Sequence, residues 1–150
     1  MTDTPDVHLQ LALLASRRVR QYQSAANGIA ALGFAGTVLL CVAAATVGPP
    51  TSGVFDLAGR QAVLLLLASV LCGLSAVGVN AARLWTRFYH AESEGWLDQV
   101  VPAAERATVI RQFLAGNPAP TALSVLWTAM LGVTSASTAI TALMFLPWTG

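Results

Sequence analysis

Three stretches of this chain are long, mostly apolar and free of charge, and its charged residues are confined to the segments that flank them. Residues 28–47 run GIAALGFAGTVLLCVAAATV with no charge in 20 positions. Residues 62–82 run AVLLLLASVLCGLSAVGVNAA, uncharged over 21, and residues 123–146 run LSVLWTAMLGVTSASTAITALMFL, uncharged over 24. As helices rising ~1.5 Å per residue, each reaches about 30 Å or slightly more, the thickness of a hydrocarbon core. Lipid offers no partner for backbone N–H and C=O groups, so such segments must be helical to cross it. The pattern predicts an all-α integral membrane protein with three transmembrane helices. Helix breakers stand at the expected ends: Gly48, Pro49 and Pro50 after the first run, Asn117, Pro118 and Pro120 before the third, Pro147 after it. Residues 1–27 precede the first run, which is longer than the apolar part of a secretion signal, so it reads as a span.

The connecting segments have patterns of their own. Residues 1–27 predict an N-terminal amphipathic helix with a stripe of Val7, Leu11, Leu14, Arg18 and Tyr22, capped by Asp3 or Thr4 with Pro5 in the first turn. It is expected to lie at the membrane interface or to extend the first span inward. Residues 48–61 form a short outer loop and 147–150 an outer tail. Residues 83–122 carry most of the charge and predict a short helical cytoplasmic segment in two pieces. The first continues the second span through Trp85, Phe88 and Tyr89 toward Trp96, Leu97, Val100 and Val101. The second has Pro102 in its first turn and a face of Arg106, Val109, Ile110 and Phe113. A segment of this size cannot bury a core alone and must pack on something else.

Arginine placement sets the orientation. Arg17, Arg18 and Arg20 precede the first span, Arg83 and Arg87 follow the second, and Arg106 and Arg111 lie further along the same connection. Arg60 alone falls in the 48–61 loop. The positive-inside rule then predicts a multi-pass cell-membrane protein, N-terminus cytoplasmic and C-terminus outside. Aromatic residues agree, with Tyr22, Trp85, Phe88, Tyr89 and Trp127 at the inner boundary and Phe55 and Trp148 at the outer.

Composition narrows the function classes. The chain is 55% hydrophobic and 10% charged, with a mean hydropathy of +0.64, against roughly 25% charged residues in soluble domains. These values exclude an ordinary soluble enzyme and a disordered tail. The net charge of +1 lacks the concentrated basic surface that nucleic acid requires, so no nucleic-acid partner is expected. The expected partners are the lipid bilayer and either further copies of the chain or another membrane protein. All eight basic residues are arginine, a bias expected of a GC-rich bacterial genome.

Candidate chemistry is sparse. His90, Glu92 and Glu94 read HAESE, and His90 and Glu94 share a helix face at i, i+4. Two ligands do not make a metal site, so no metal is expected. Cys41 and Cys72 both fall inside spans and read as small packing residues. No nucleophile motif, phosphate loop or dinucleotide fingerprint is present, and neither a catalytic residue nor a cofactor is expected. No Asp, Glu, Lys, Arg or His lies inside a span, which counts against proton relays, ion-coupled transporters and voltage sensors.

Small and hydroxyl residues are more informative. Ser69, Gly73, Ala76 and Asn80 line one stripe of the second span, and Ser124, Thr128, Gly132, Ser135, Thr138 and Ala142 line one of the third. The first span offers a weaker version in Gly28, Ala31 and Ala35. Small residues let helices approach closely in lipid, so these are candidate helix-packing or oligomer faces. His90, Glu92, Glu94, Arg106 and Arg111 are the candidate cytoplasmic contact residues. The favoured reading is a small non-enzymatic membrane protein, an accessory or anchoring subunit that self-associates or binds a partner through small-residue faces. The alternative is a pore-forming or membrane-disrupting effector, its path lined by the Ser/Thr stripe and gated by the cytoplasmic segment.

Overall fold

A computed structural model of the chain describes residues 4–46, 54–115 and 122–145. These form four α-helices, with no strand among the described residues: α1 (Thr4–Thr46), α2 (Val54–Val100), α3 (Arg106–Ala115) and α4 (Ala122–Met144). α1, α2 and α4 are long and apolar enough to cross a membrane. At the standard rise, the 43 residues of α1 and the 47 of α2 span roughly 65 and 70 Å, about twice a hydrocarbon core.

The predicted N-terminal helix and first span are therefore one uninterrupted helix, because nothing between Tyr22 and Gly28 breaks one. The second span and the Trp85–Leu97 piece are likewise continuous. Pro102 differs slightly from expectation, since it opens a turn rather than a helix. The N–H groups of Glu105 and Arg106 both donate to the Pro102 carbonyl at 3.0 Å, and α3 starts only at Arg106. The face predicted on α3 does form: Arg106, Val109, Ile110 and Phe113 are half-buried, while Ala107, Thr108, Arg111 and Gln112 are exposed. The proline-containing stretch before α4, the 48–53 part of the outer loop and the 147–150 tail lie outside the described residues.

The chain divides into two compact units. One contains residues 1–27 and 80–125, the other residues 28–79 and 126–150. In the first unit, α1 and α2 run antiparallel. His8 stacks on Trp96 at 5.3 Å between ring centroids, and Tyr22 stacks on Tyr89 at 5.6 Å and on Trp85 at 6.2 Å. The buried face of α1 here is Ala12, Ala15, Ser16, Val19 and Ala26, and α2 answers with Ala82, Thr86, Ser93 and Leu97. This corrects the amphipathic stripe, since Val7 and Leu14 are more than half exposed. Close antiparallel packing selects the small side chains, not the bulky ones.

In the second unit α1, α2 and α4 pack together. α2 buries Leu65, Ala68, Cys72, Ser75 and Val79, at alternating steps of three and four, the spacing of a coiled-coil seam. α1 opposes it with Ala30, Gly33, Thr37 and Ala44. Gly33 is a point of backbone approach, because a Cβ there would collide with the Ser75 side chain. One at Gly36 would lie 2.7 Å from a Leu71 methyl carbon, and one at Gly78 would lie 3.2 Å from Ile29. Ala44, Leu65 and Ala142 join the three helices in one apolar cluster, and Phe34 meets Trp127 edge to face at 6.5 Å. The Gly28, Ala31, Ala35 stripe is not used within the chain: all three are exposed, and α1 packs on α2 through its other side.

Among the described residues the six buried polar ones are hydroxyls, and each donates to a carbonyl three or four residues back in its own helix. Ser16 bonds Leu13, Thr37 bonds Gly33, Ser75 bonds Leu71, Thr86 bonds Ala82, Ser93 bonds His90 and Thr138 bonds Thr134, all at 2.7–2.9 Å. A hydroxyl satisfied locally needs no partner across the interface, so it can serve as a small spacer in an apolar seam.

Candidate functional site

Two places in the structure gather polar chemistry, one in each unit. In the second unit, α2 and α4 meet through a reciprocal serine pair. Ser69 Oγ donates to the Ser135 carbonyl at 2.8 Å, Ser135 Oγ donates to the Ser69 carbonyl at 2.9 Å, and the hydroxyls are 3.3 Å apart. Gly73 makes the approach possible, because a Cβ there would stand 3.2 Å from Ser135 Oγ. The structure thus brings together Ser69, Gly73 and Ser135 from the two predicted stripes, with Ala142 buried further along α4.

The other stripe residues are placed differently. Ala76, Ser124 and Thr128 are half-buried. Thr138 is buried but bonded to its own helix at Thr134 and Ser135. Asn80 and Gly132 are exposed, and nothing lies within 4 Å of a Cβ built at Gly132. Thr134 and Thr141 also donate to carbonyls of α4. Within the Ser/Thr row, Ser135 thus engages a backbone oxygen of α2 and Thr138 one of α4 itself.

Replacing Ser69 or Ser135 with Ala is expected to lower stability by about 0.6–1 kcal/mol each, the range of interhelical hydrogen bonds in lipid. Reversible unfolding in micelles measures this, and the double variant should depart from the sum, since the two hydroxyls lie 3.3 Å apart in one contact. Wild-type stability in both single variants would remove the pair's structural role.

In the first unit, an aromatic cluster holds an arginine. Tyr22, Trp85, Phe88 and Tyr89 lie with ring centroids 5.3–6.2 Å apart. Arg18 Nη1 donates to the Tyr89 hydroxyl at 2.9 Å, and the guanidinium carbon sits 5.1 Å from that ring's centroid. Such a cation–π contact fixes a long side chain that would otherwise be mobile. The sequence marked these aromatics as boundary residues but held no signal for the Arg18–Tyr89 pairing, 71 residues apart.

The candidate contact residues only partly converge. His90 Nδ1 lies 3.8 Å from Glu94 Oε1, the i, i+4 neighbour expected on a helix. Glu92 and Arg111 are exposed. Arg106 turns instead to Asp98, with Nε 2.7 Å from Oδ1 and Nη2 donating to the Asp98 carbonyl at 2.8 Å. That pairing closes the turn between α2 and α3 and was not foreseen, because the Pro102 turn that folds the chain back is a tertiary detail. Among the described residues no group of three or more His, Cys, Asp or Glu could hold a metal ion. Both cysteines are free, Cys72 buried and Cys41 half-buried.

Shallow recesses lie among the described residues of each unit. One, of about 220 Å³, is lined by Gln10, Leu13, Leu14 and Arg17 in the first unit. The other, of about 180 Å³, is lined by Cys41, Ala44, Ala45, Gln61, Leu65 and Phe145 in the second. Gln61 Nε2 donates to the Ala44 carbonyl there at 3.3 Å, so its amide caps the recess rather than pointing into it. Neither recess combines a nucleophile with a base. Comparison of the chain with protein-family models, with curated proteins and with solved structures finds no match to any of them.

Proposed function

We propose that this chain is a small integral membrane protein without catalytic activity, which anchors or assists a second membrane component, another copy of itself included. The observation that carries this reading is the outward apolar surface of the second unit. Leu32, Leu39, Leu74, Val77 and Val133 are 66–76% exposed, on helices long and apolar enough to cross a membrane. Water would not tolerate so extended an apolar surface, whereas lipid does. The arginine distribution supports an N-terminus in the cytoplasm.

The Ser69–Gly73–Ser135 contact is used within the chain, so association falls to faces that remain open. These are Gly28, Ala31 and Ala35 on α1 and Gly132 on α4, where the backbone is accessible to a neighbouring helix. The pore reading is the weaker one, because Ser135 and Thr138, at the middle of the stripe that would line a path, already donate to helix carbonyls.

Chemical crosslinking in native membranes, followed by separation in mild detergent, tests the proposal. The expected result is a discrete homo-oligomer or one fixed partner, lost when Gly132 is replaced by Leu or when Ala31 and Ala35 together are. A chain that stays monomeric and partnerless overturns it.

A further inference from the structure

Acidic and basic residues of the first unit occupy different stretches of its two long helices. Residues 7–27 of α1 and 80–91 of α2 hold Arg17, Arg18, Arg20, Arg83 and Arg87 and no Asp or Glu. The acids Glu92, Glu94 and Asp98 begin only beyond them. The antiparallel register that seats Arg18 on Tyr89 and Tyr22 beside Trp85 sets Arg20 level with Arg87 and Arg83 a turn away. By the helix rise, all five cations fall in a band ~12 Å deep.

Neutralising partners are missing from this band. Arg106 pairs with Asp98 and His90 with Glu94, and neither pair includes one of the five arginines. Arg18 is held by a neutral phenol, and Arg83 Nε is buried without a hydrogen-bond partner. Five like charges within about one Debye length repel one another unless anions are supplied from outside. The band also adjoins the uncharged 62–82 run, with Arg83 as its first residue, and it contains the exposed aromatics Trp85 and Phe88. Arginine beside exposed indole and phenyl rings suits a headgroup layer, where rings lie among glycerol and acyl groups and guanidinium binds phosphate in bidentate fashion.

We propose that this arginine and aromatic band is a binding surface for anionic phospholipid headgroups, with Arg83 and Arg87 contacting phosphate at i, i+4 on α2. Tyr89 is a positioning residue that holds Arg18 toward the same layer. The inference rests on the membrane reading above and deepens it by naming the lipid class.

The test uses the full chain, purified in mild detergent and given equal mole fractions of phosphatidylglycerol and phosphatidylcholine. Native mass spectrometry then counts retained lipids, and flotation with vesicles of each lipid measures insertion separately. The wild-type chain should retain phosphatidylglycerol in clear preference. Each arginine near a charged surface is worth about fivefold in affinity, so Arg83→Gln with Arg87→Gln should reduce retention roughly 25-fold. Arg60→Gln should leave it unchanged, and Tyr89→Phe should lower it by less than the loss of Arg18. Flotation with phosphatidylcholine vesicles should be the same for all variants, which separates lipid choice from misfolding. Equal retention of the two lipids overturns the proposal, as does displacement of phosphatidylglycerol by millimolar inorganic phosphate. Failure of the wild-type chain to float with either vesicle overturns the membrane reading itself.

Discussion

Gly33→Leu is expected to break the packing of α1 against α2, lowering stability by about 3 kcal/mol or more, while Gly28→Leu on the same helix should change it little. Both substitutions add the same side chain, and both replace glycine with a better helix former. They differ in what the new atoms meet. At Gly33 a Cβ alone collides with Ser75, whose hydroxyl is tied to the Leu71 carbonyl at 2.8 Å and cannot simply swing away. Relief requires the helices to separate, which also opens the contacts at Gly36 with Leu71 and at Gly78 with Ile29. Overpacking of this kind costs about 1–3 kcal/mol in ordinary cores, and more where backbone must move. At Gly28 nothing lies within 4 Å of the added atom. Thermal unfolding of both variants in the same micelle, followed by circular dichroism, gives the comparison. Equal midpoints would mean that α1 does not pack on α2 through Gly33.

Cysteine labelling should give an all-or-none contrast across the membrane. In a chain carrying Cys41→Ala and Cys72→Ala, a single cysteine at Ser52 is expected to react with a membrane-impermeant maleimide on intact cells. One at Ser24 is expected to react only after permeabilisation. The physical basis is the arginine asymmetry: Arg17, Arg18, Arg20, Arg83 and Arg87 flank the first two spans on one side, against Arg60 on the other. Replacing those five with Gln should erode the contrast and yield mixed labelling at both positions. Reaction at Ser24 on intact cells would invert the orientation and sink the cytoplasmic assignment of the arginine band.

The α3 face was legible because Val109, Ile110 and Phe113 recur at helical spacing while Thr108, Arg111 and Gln112 fall between them. The α1 seam was not. Inside residues 28–47 no position is charged and all but Thr37 and Thr46 are apolar or glycine, so hydrophobic periodicity carries little information about which face is inward. The choice between Gly28, Ala31, Ala35 and the actual Ala30, Gly33, Thr37 depends on what α2 presents. In the N-terminal part of α1 the bulky Val7, Leu11 and Leu14 dominated the pattern and pointed to the wrong face, since close packing favoured Ala12, Ser16 and Val19. The serine pair lies between these cases. Both stripes were visible in the sequence, yet the register that joins Ser69 to Ser135 was not, because nothing local relates residues 66 apart.

The sequence by itself determined that the chain is helical, that three of its segments suit a hydrocarbon slab, and which flanks carry the arginines. These follow from backbone hydrogen bonding in lipid and from the cost of moving charge through it, both local properties of a segment. Only the tertiary structure decided which small residues touch, that Ser69 and Ser135 donate to each other's carbonyls, and that Arg18 rests on Tyr89. Those outcomes depend on the relative register of whole helices, set by where glycine and serine allow backbones to approach, and no window along one helix contains that information.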